Sequence, residues 1–232
     1  LTASPRAVVS HATAAALHGL WLPAGLEPLV HLTVPGGADD VRHGTRTHGS
    51  GLAPRHVVEL DGIPVTSPAR TAIDVARGRS LPDALLVLDS VARLELRALA
   101  RTQREQRLPE VRDRATGCAR DLLVEAYEAE RTWPGTAILR AAIPRVDAAS
   151  ESAFESWSRG QMLVNALPAP ALEPDDGDAF AHPVFGQALM ALRRMTPAGR
   201  DAAVRTLAGA VSRVPDGYQA ARLAVVCGTA VE

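Results

Sequence analysis

Apolar and polar residues alternate in several short runs of the first third of the chain. Leu29 to Val34 alternates and predicts a strand closed by Pro35-Gly36-Gly37. Residues 38–40 read as a polar loop, and Thr45 to His48 as a second short strand ended by Gly49-Ser50-Gly51. Val57-Val58 and Ile63 with Val65 flank Asp61-Gly62, the dipeptide of two-residue hairpin turns, because it accepts positive φ. Two helices punctuate these strands. Ser10 opens residues 11–18 and Gly19 stops them, with Ala14, Ala15 and Leu17 as the inner face. Ser67-Pro68 opens residues 68–77, with Ala72, Ile73, Val75 and Ala76 inward and Arg70 with Asp74 as an i,i+4 pair on the polar side.

From Ser80 the period lengthens to that of helices. Ser80 and Asp83 form a capping pair, and Ala84, Leu85, Leu88, Val91 and Ala92 make an apolar stripe. Helix is expected to continue over residues 94–107, to return over 119–131 and 138–143, and to begin again at Ser150. Beyond it a turn at Leu167-Pro168, an extended stretch over 169–173, an acidic turn and three further helices are predicted. The fold class is therefore α+β: a small mixed β-sheet with flanking helices in the N-terminal third, then a mainly α-helical remainder. The predicted organisation is 1–79, a helical region 80–147, a segment 148–180, and a helical tail 181–232.

Composition narrows the picture. Hydrophobic residues make up 47 % of the 232-residue chain but aromatics only 3 %, so the core must be built from Ala, Val and Leu. Every basic residue is Arg, which excludes Schiff-base chemistry, a phosphate-loop lysine and a lysine-completed nuclease centre. The net charge is −1 and no third of the chain is strongly basic, so a nucleic-acid surface would need Arg placed locally. Arg42, Arg46 and Arg55, on neighbouring strands or loops, are the candidates for such a surface. Cys118 and Cys227, far apart in Ala-rich contexts, read as buried thiols of a cytoplasmic protein. No run of roughly 18 apolar residues predicts a membrane span.

Six of the seven histidines fall in the first 56 residues, and His11 and His18 are expected on one helix face. Their spacing matches no His-x3-His pattern, so no metal ligand or cofactor is assigned, and the rings are expected to bond strand and loop carbonyls. Glu151 and Glu155 are expected four apart on one helix face. Asp175, Asp176 and Asp178 form the acidic turn.

Three blocks carry a resemblance: Ala7-Val8-Val9-Ser10-His11 through Leu17-His18-Gly19-Leu20, Val30-His31-Leu32-Thr33-Val34-Pro35, and Gly62-Ile63-Pro64-Val65-Thr66-Ser67-Pro68 through Thr71. Together they resemble the AbiEi-type antitoxins, transcriptional regulators of type IV toxin–antitoxin systems. In that family a winged helix-turn-helix precedes the blocks. Only six residues precede Ala7, so the resemblance implies a non-catalytic regulator-like chain without its DNA-reading head. Its expected partners are DNA, through a separate segment, or another protein. Ser150-Glu151-Ser152-Ala153-Phe154-Glu155-Ser156 followed by Leu167-Pro168 is similar to the first helix of very-short-patch-repair endonucleases. That likeness implies an alternative metal-dependent nuclease in which Glu155 and Asp178 are the catalytic acids.

Overall fold

The Asp61-Gly62 hairpin forms as its dipeptide requires. Strand β5 (Val57–Leu60) in order precedes β6 (Ile63–Thr66), the two pair antiparallel with Leu60 opposite Ile63, and Asp61 and Gly62 take φ of 49° and 78°. The computed structural model describes residues 6–166. Four more strands complete the sheet: β1 (Val8–Val9), β2 (Val30–Thr33), β3 (Asp40–Arg42) and β4 (Thr45–His48). The order is β3-β4-β2-β1-β6-β5. β1 lies antiparallel to β2 and parallel to β6, β2 is parallel to β4, and an antiparallel pair closes each side. Asp40, expected in a loop, instead begins β3. That strand lies at the sheet edge with all three residues exposed, so it leaves no apolar alternation to read.

Among the described residues, seven α-helices accompany the sheet. They are α1 (His11–His18), α2 (Pro68–Ala76), α3 (Leu81–Leu99), α4 (Gln103–Gln106), α5 (Pro109–Glu130), α6 (Ala137–Ala142) and α7 (Ala153–Val164). Gly19, at φ 68°, stops α1 and takes its N–H to the carbonyls of Ala15 and Ala16. The Ser67 and Ser80 hydroxyls accept from the N–H groups of Arg70 and Asp83 and start α2 and α3. Leu17, expected to face inward, is half exposed.

Three helix boundaries depart from expectation. The helix expected over 94–107 ends at Leu99 and restarts as α4. Thr102 Oγ1 accepts from Glu105 N at 3.1 Å while Glu105 Oε2 accepts from Thr102 N at 3.1 Å. This capping box lies inside an Arg-rich run and interrupts it. α5 begins at Pro109, ahead of the expected 119, because its inner stripe of Arg112, Ala115 and Ala119 is too small and too charged to look apolar. α7 begins at Ala153 rather than Ser150.

The core is aliphatic, as the composition demands. Ile73, Leu85, Leu88, Val91, Leu96, Leu123 and Leu139 are almost wholly buried among Ala72, Ala76, Ala84, Ala92, Ala119 and Ala126. Small residues let helix backbones approach closely. At Gly160 of α7 a Cβ would lie 2.5 Å from Cα of Pro82 in α3, so this position admits no side chain. The chain as far as Val164 is one compact α+β unit: a six-stranded mixed sheet followed by a mainly helical remainder. The expectations for Leu167-Pro168, residues 169–173, Asp175, Asp176, Asp178, Cys227 and the tail helices lie outside the described residues.

Candidate functional site

Parallel pairing of β2 with β4 sets His31 beside Arg46 and Thr33 beside His48. Because side chains alternate along a strand, His31, Thr33, Arg46 and His48 share one face. The start of α1 is tied to that face: Ser10 N donates to the His31 carbonyl at 3.0 Å, and His31 N donates to Thr13 Oγ1 at 2.9 Å. His11 enters α1 with φ at +50°, a conformation costly for a residue with a side chain. Its ring stacks on His48 with centroids 3.6 Å apart and planes 13° apart. His31 meets His48 edge to edge, its Nδ1 3.0 Å from His48 Nε2, one of the two nitrogens donating.

The three rings come from a helix start and two strands. One ring nitrogen of each lies within 4.8 Å of those of the other two. His11 Nδ1 is 3.0 Å from Ser10 Oγ. Nε2 of His11 and of His31 are buried and find no hydrogen-bond partner among the described residues. Burial lowers all three ring pKa values, reinforced by Arg77 at His11, by Arg46 at His31 and by the other two rings at His48. His11 falls to about 3 and His48 to about 4. All three are therefore neutral imidazoles near neutral pH, with lone pairs available. His18 places Nε2 2.7 Å from the Thr66 carbonyl oxygen, a strand carbonyl of the kind the histidines were expected to bond.

A second cluster lies beside the stack. Arg70 and Asp74 were expected on a polar helix face, but their side chains are 0 % and 1 % exposed. Arg70 Nε donates to Asp74 Oδ2 at 3.0 Å, and Nη1 lies 2.8 Å from Glu130 Oε1 at the end of α5. The ring of Trp133 faces the guanidinium groups of Arg70 and Arg77 at 5.4 and 4.7 Å. Two buried carboxylates share one buried guanidinium. Burial raises the pKa of both, Glu130 to about 7. One signal in the sequence could have revealed this. Apart from Arg70 and Asp74, α2 has no charged residue, and a helix that is apolar nearly all round is buried nearly all round.

A third cluster joins α3 to α7. Asp89 Oδ1 accepts from Asp147 N at 2.9 Å; Oδ2 accepts from Ser150 Oγ at 3.2 Å and Arg159 Nη2 at 2.6 Å. Arg159 Nη1 donates to the Arg145 carbonyl at 2.7 Å. Glu155 is close by in sequence but differently employed. Its Oε2 accepts from Glu151 N at 2.8 Å and its Oε1 from Ser152 Oγ at 2.9 Å, while Glu155 N donates to Ser152 Oγ. Glu151 precedes α7 and reaches Arg112 at 3.5 Å, so the two glutamates do not share a helix face.

The three candidate arginines are not brought together. Arg42 and Arg46 lie on adjacent strands, but Val41 is the residue opposite Arg46, so their side chains leave opposite faces of the sheet. Arg55, in a 3-10 turn at Pro54–His56, stands next to β5 at the other edge. Each has an acidic neighbour: Asp40 at 2.6 Å, Glu27 at 2.7 Å and Glu125 at 2.7 Å respectively.

The fold and its clusters define an α+β protein with a stacked-histidine site, and sequence comparison adds two relatives. Two uncharacterised proteins of Mycobacterium tuberculosis, one from strain CDC 1551 / Oshkosh, are each 29 % identical to this chain over 167 residues. The match covers 72 % of this chain and 52 % of theirs, so the chain spans about half the length of the curated relatives it matches. No family model and no solved structure matches.

Proposed function

We propose that this chain is a non-catalytic, cytoplasmic protein similar in role to the AbiEi-type antitoxin regulators, acting through a separate DNA-reading segment or a protein partner. The supporting observation is spatial. The three sequence blocks that carry the resemblance supply β1 with α1, β2, and β6 with α2. The strands β2, β1 and β6 are adjacent at the centre of the sheet, and α1 packs on α2. Blocks far apart in sequence thus form one continuous piece of the fold. Among the described residues no helix is long and apolar enough to cross a membrane.

The geometry weighs against the nuclease alternative at Glu155. A carboxylate that serves a metal-dependent hydrolase must present oxygens to the ion, whereas both Glu155 oxygens accept hydrogen bonds at the start of α7. The test has two arms. Gel-shift titration of this chain alone is expected to show no tight sequence-specific DNA complex; a salt-resistant, sequence-specific complex contradicts the proposal. Plasmid incubated with Mg²⁺ is expected to stay supercoiled; nicking that disappears in Glu155→Gln contradicts it as well.

A further inference from the structure

We infer that His11, His31 and His48 hold one divalent transition-metal ion of the zinc class. The inference does not depend on the regulatory reading. Four observations point the same way. The first is donor chemistry: three imidazoles, with no thiolate and no carboxylate among them, form a borderline-soft nitrogen set that suits Zn²⁺, Co²⁺, Ni²⁺ or Cu²⁺ over Mg²⁺ or Ca²⁺.

The second is distance. Nitrogens bound tetrahedrally at the usual zinc bond length stand about 3.3 Å apart. Here His31 Nδ1 and His48 Nε2 are 3.0 Å apart, and the widest separation within the trio stays under 4.8 Å. Closing the trio on an ion brings the donor atoms together by roughly 1.5 Å at most and turns the near-parallel His11 and His48 rings so that their lone pairs converge. His48 is only partly buried.

The third is the set of unsatisfied atoms. His11 and His31 are each 8 % exposed, and each keeps a buried Nε2 without a hydrogen bond among the described residues. Buried polar atoms are nearly always paired, so the orphaned His11 Nε2 calls for a ligand, while His31, facing His48 through Nδ1, keeps its Nε2 on the far side of the ring. The fourth is orientation. His11 Nδ1 is held by the Ser10 hydroxyl, which leaves Nε2 as its free nitrogen. Ligand imidazoles commonly donate their other N–H to such a partner. The positive φ of His11 is the backbone strain that brings its ring onto the sheet face, and strain of this kind collects at functional positions.

Three protein nitrogens leave at least one coordination position for water or another ligand. Loading the ion replaces the His31–His48 ring hydrogen bond with two metal bonds, the shared proton moving to the other nitrogen of the ring that donated it.

The experiment uses the full chain, stripped with chelator and titrated with ZnCl2 by calorimetry. Wild type is expected to bind one equivalent. His48→Gln is expected to weaken binding at least roughly tenfold, the smallest loss seen when even a hydrogen-bond partner of a ligand is removed. His18→Gln and His43→Asn, both outside the trio, are expected to bind as wild type does. Absence of binding, or equal affinity in His48→Gln, overturns the inference. A reading that needs no variant comes from wild type loaded with Co²⁺: its proton NMR spectrum is expected to show hyperfine-shifted resonances from three imidazoles. Fewer than three overturns the inference too.

Discussion

Asp89 and His31 are both buried polar side chains in the same compact unit, and their neighbours treat them in opposite ways. Each oxygen of Asp89 has its donors, from the Asp147 backbone, Ser150 and Arg159. His31 has one ring nitrogen engaged and the other buried without a hydrogen-bond partner among the described residues. A closed network rigidifies the packing around it, whereas an open one costs stability for as long as it stays open. The contrast separates groups that hold the fold from groups kept for something else. The Asp89 network ties α3 to α7 at a place where Gly160 and Pro82 already meet at backbone distance. The histidine stack joins α1 to two strands and keeps two buried nitrogens without a hydrogen-bond partner among the described residues.

Removing the fully paired Asp89 carboxylate is expected to have the largest effect. Asp89→Ala leaves the Arg159 guanidinium buried and uncompensated, and is expected to cost about 3–5 kcal/mol in urea unfolding. A loss under about 1 kcal/mol would place Asp89 among ordinary surface charges.

The Arg70 cluster lies between the two extremes, and its mark is pH dependence. Glu130 has a folded pKa of about 7, above its ordinary 4.5. The folded state therefore keeps a proton that the unfolded chain releases, and this group's stabilising effect fades as pH rises from about 4.5 to about 7, by about 3 kcal/mol. The stack acts in the opposite sense. His11 and His48 have folded pKa values near 3 and 4, below the ordinary 6.5. Unfolded histidine takes up protons that the folded rings refuse, so stability falls as pH drops below about 6.5. In wild type the two effects oppose each other. Glu130→Gln removes one of them, so its urea midpoint is expected to fall more than that of wild type between about pH 7 and about pH 5. An equal or smaller fall would show that Glu130 ionises normally.

Gly160→Ala forces a methyl group against the Pro82 backbone and is expected to cost about 1–3 kcal/mol, read as a lower melting temperature. Ser152→Ala removes the hydroxyl that starts α7 and is expected to cost about 1 kcal/mol. The smallest effect belongs to the open cluster: His48→Gln, in metal-free protein, is expected to change stability by less than about 1 kcal/mol. A loss as large as that of Asp89→Ala would make the stack a fold-holding element after all.

Much of the frame was legible in short patterns. Asp61-Gly62, Ser67-Pro68, Ser80 with Asp83, and Gly19 each act within a few residues, and each formed the expected turn, cap or stop. What escaped depends on contacts between distant segments. An i,i+4 pair such as Arg70 and Asp74 reads the same whether water or Glu130 surrounds it. The break after Leu99 was hidden because Thr102 and Glu105 lie among arginines that favour helix on either side. The three histidines come together only through the start of α1 and the parallel register of β2 with β4, and no local spacing encodes that register. Arg42, Arg46 and Arg55 show the converse: near one another in sequence, they are spread over two faces and two edges of the sheet.

The most direct measurement of the open cluster is zinc-edge X-ray absorption on the full chain loaded with one equivalent of Zn²⁺. The account predicts a first shell of nitrogen and oxygen only, at about 2.0–2.1 Å, with outer-shell scattering from three imidazoles. Sulfur at about 2.3 Å, or a shell without imidazole scattering, would contradict it.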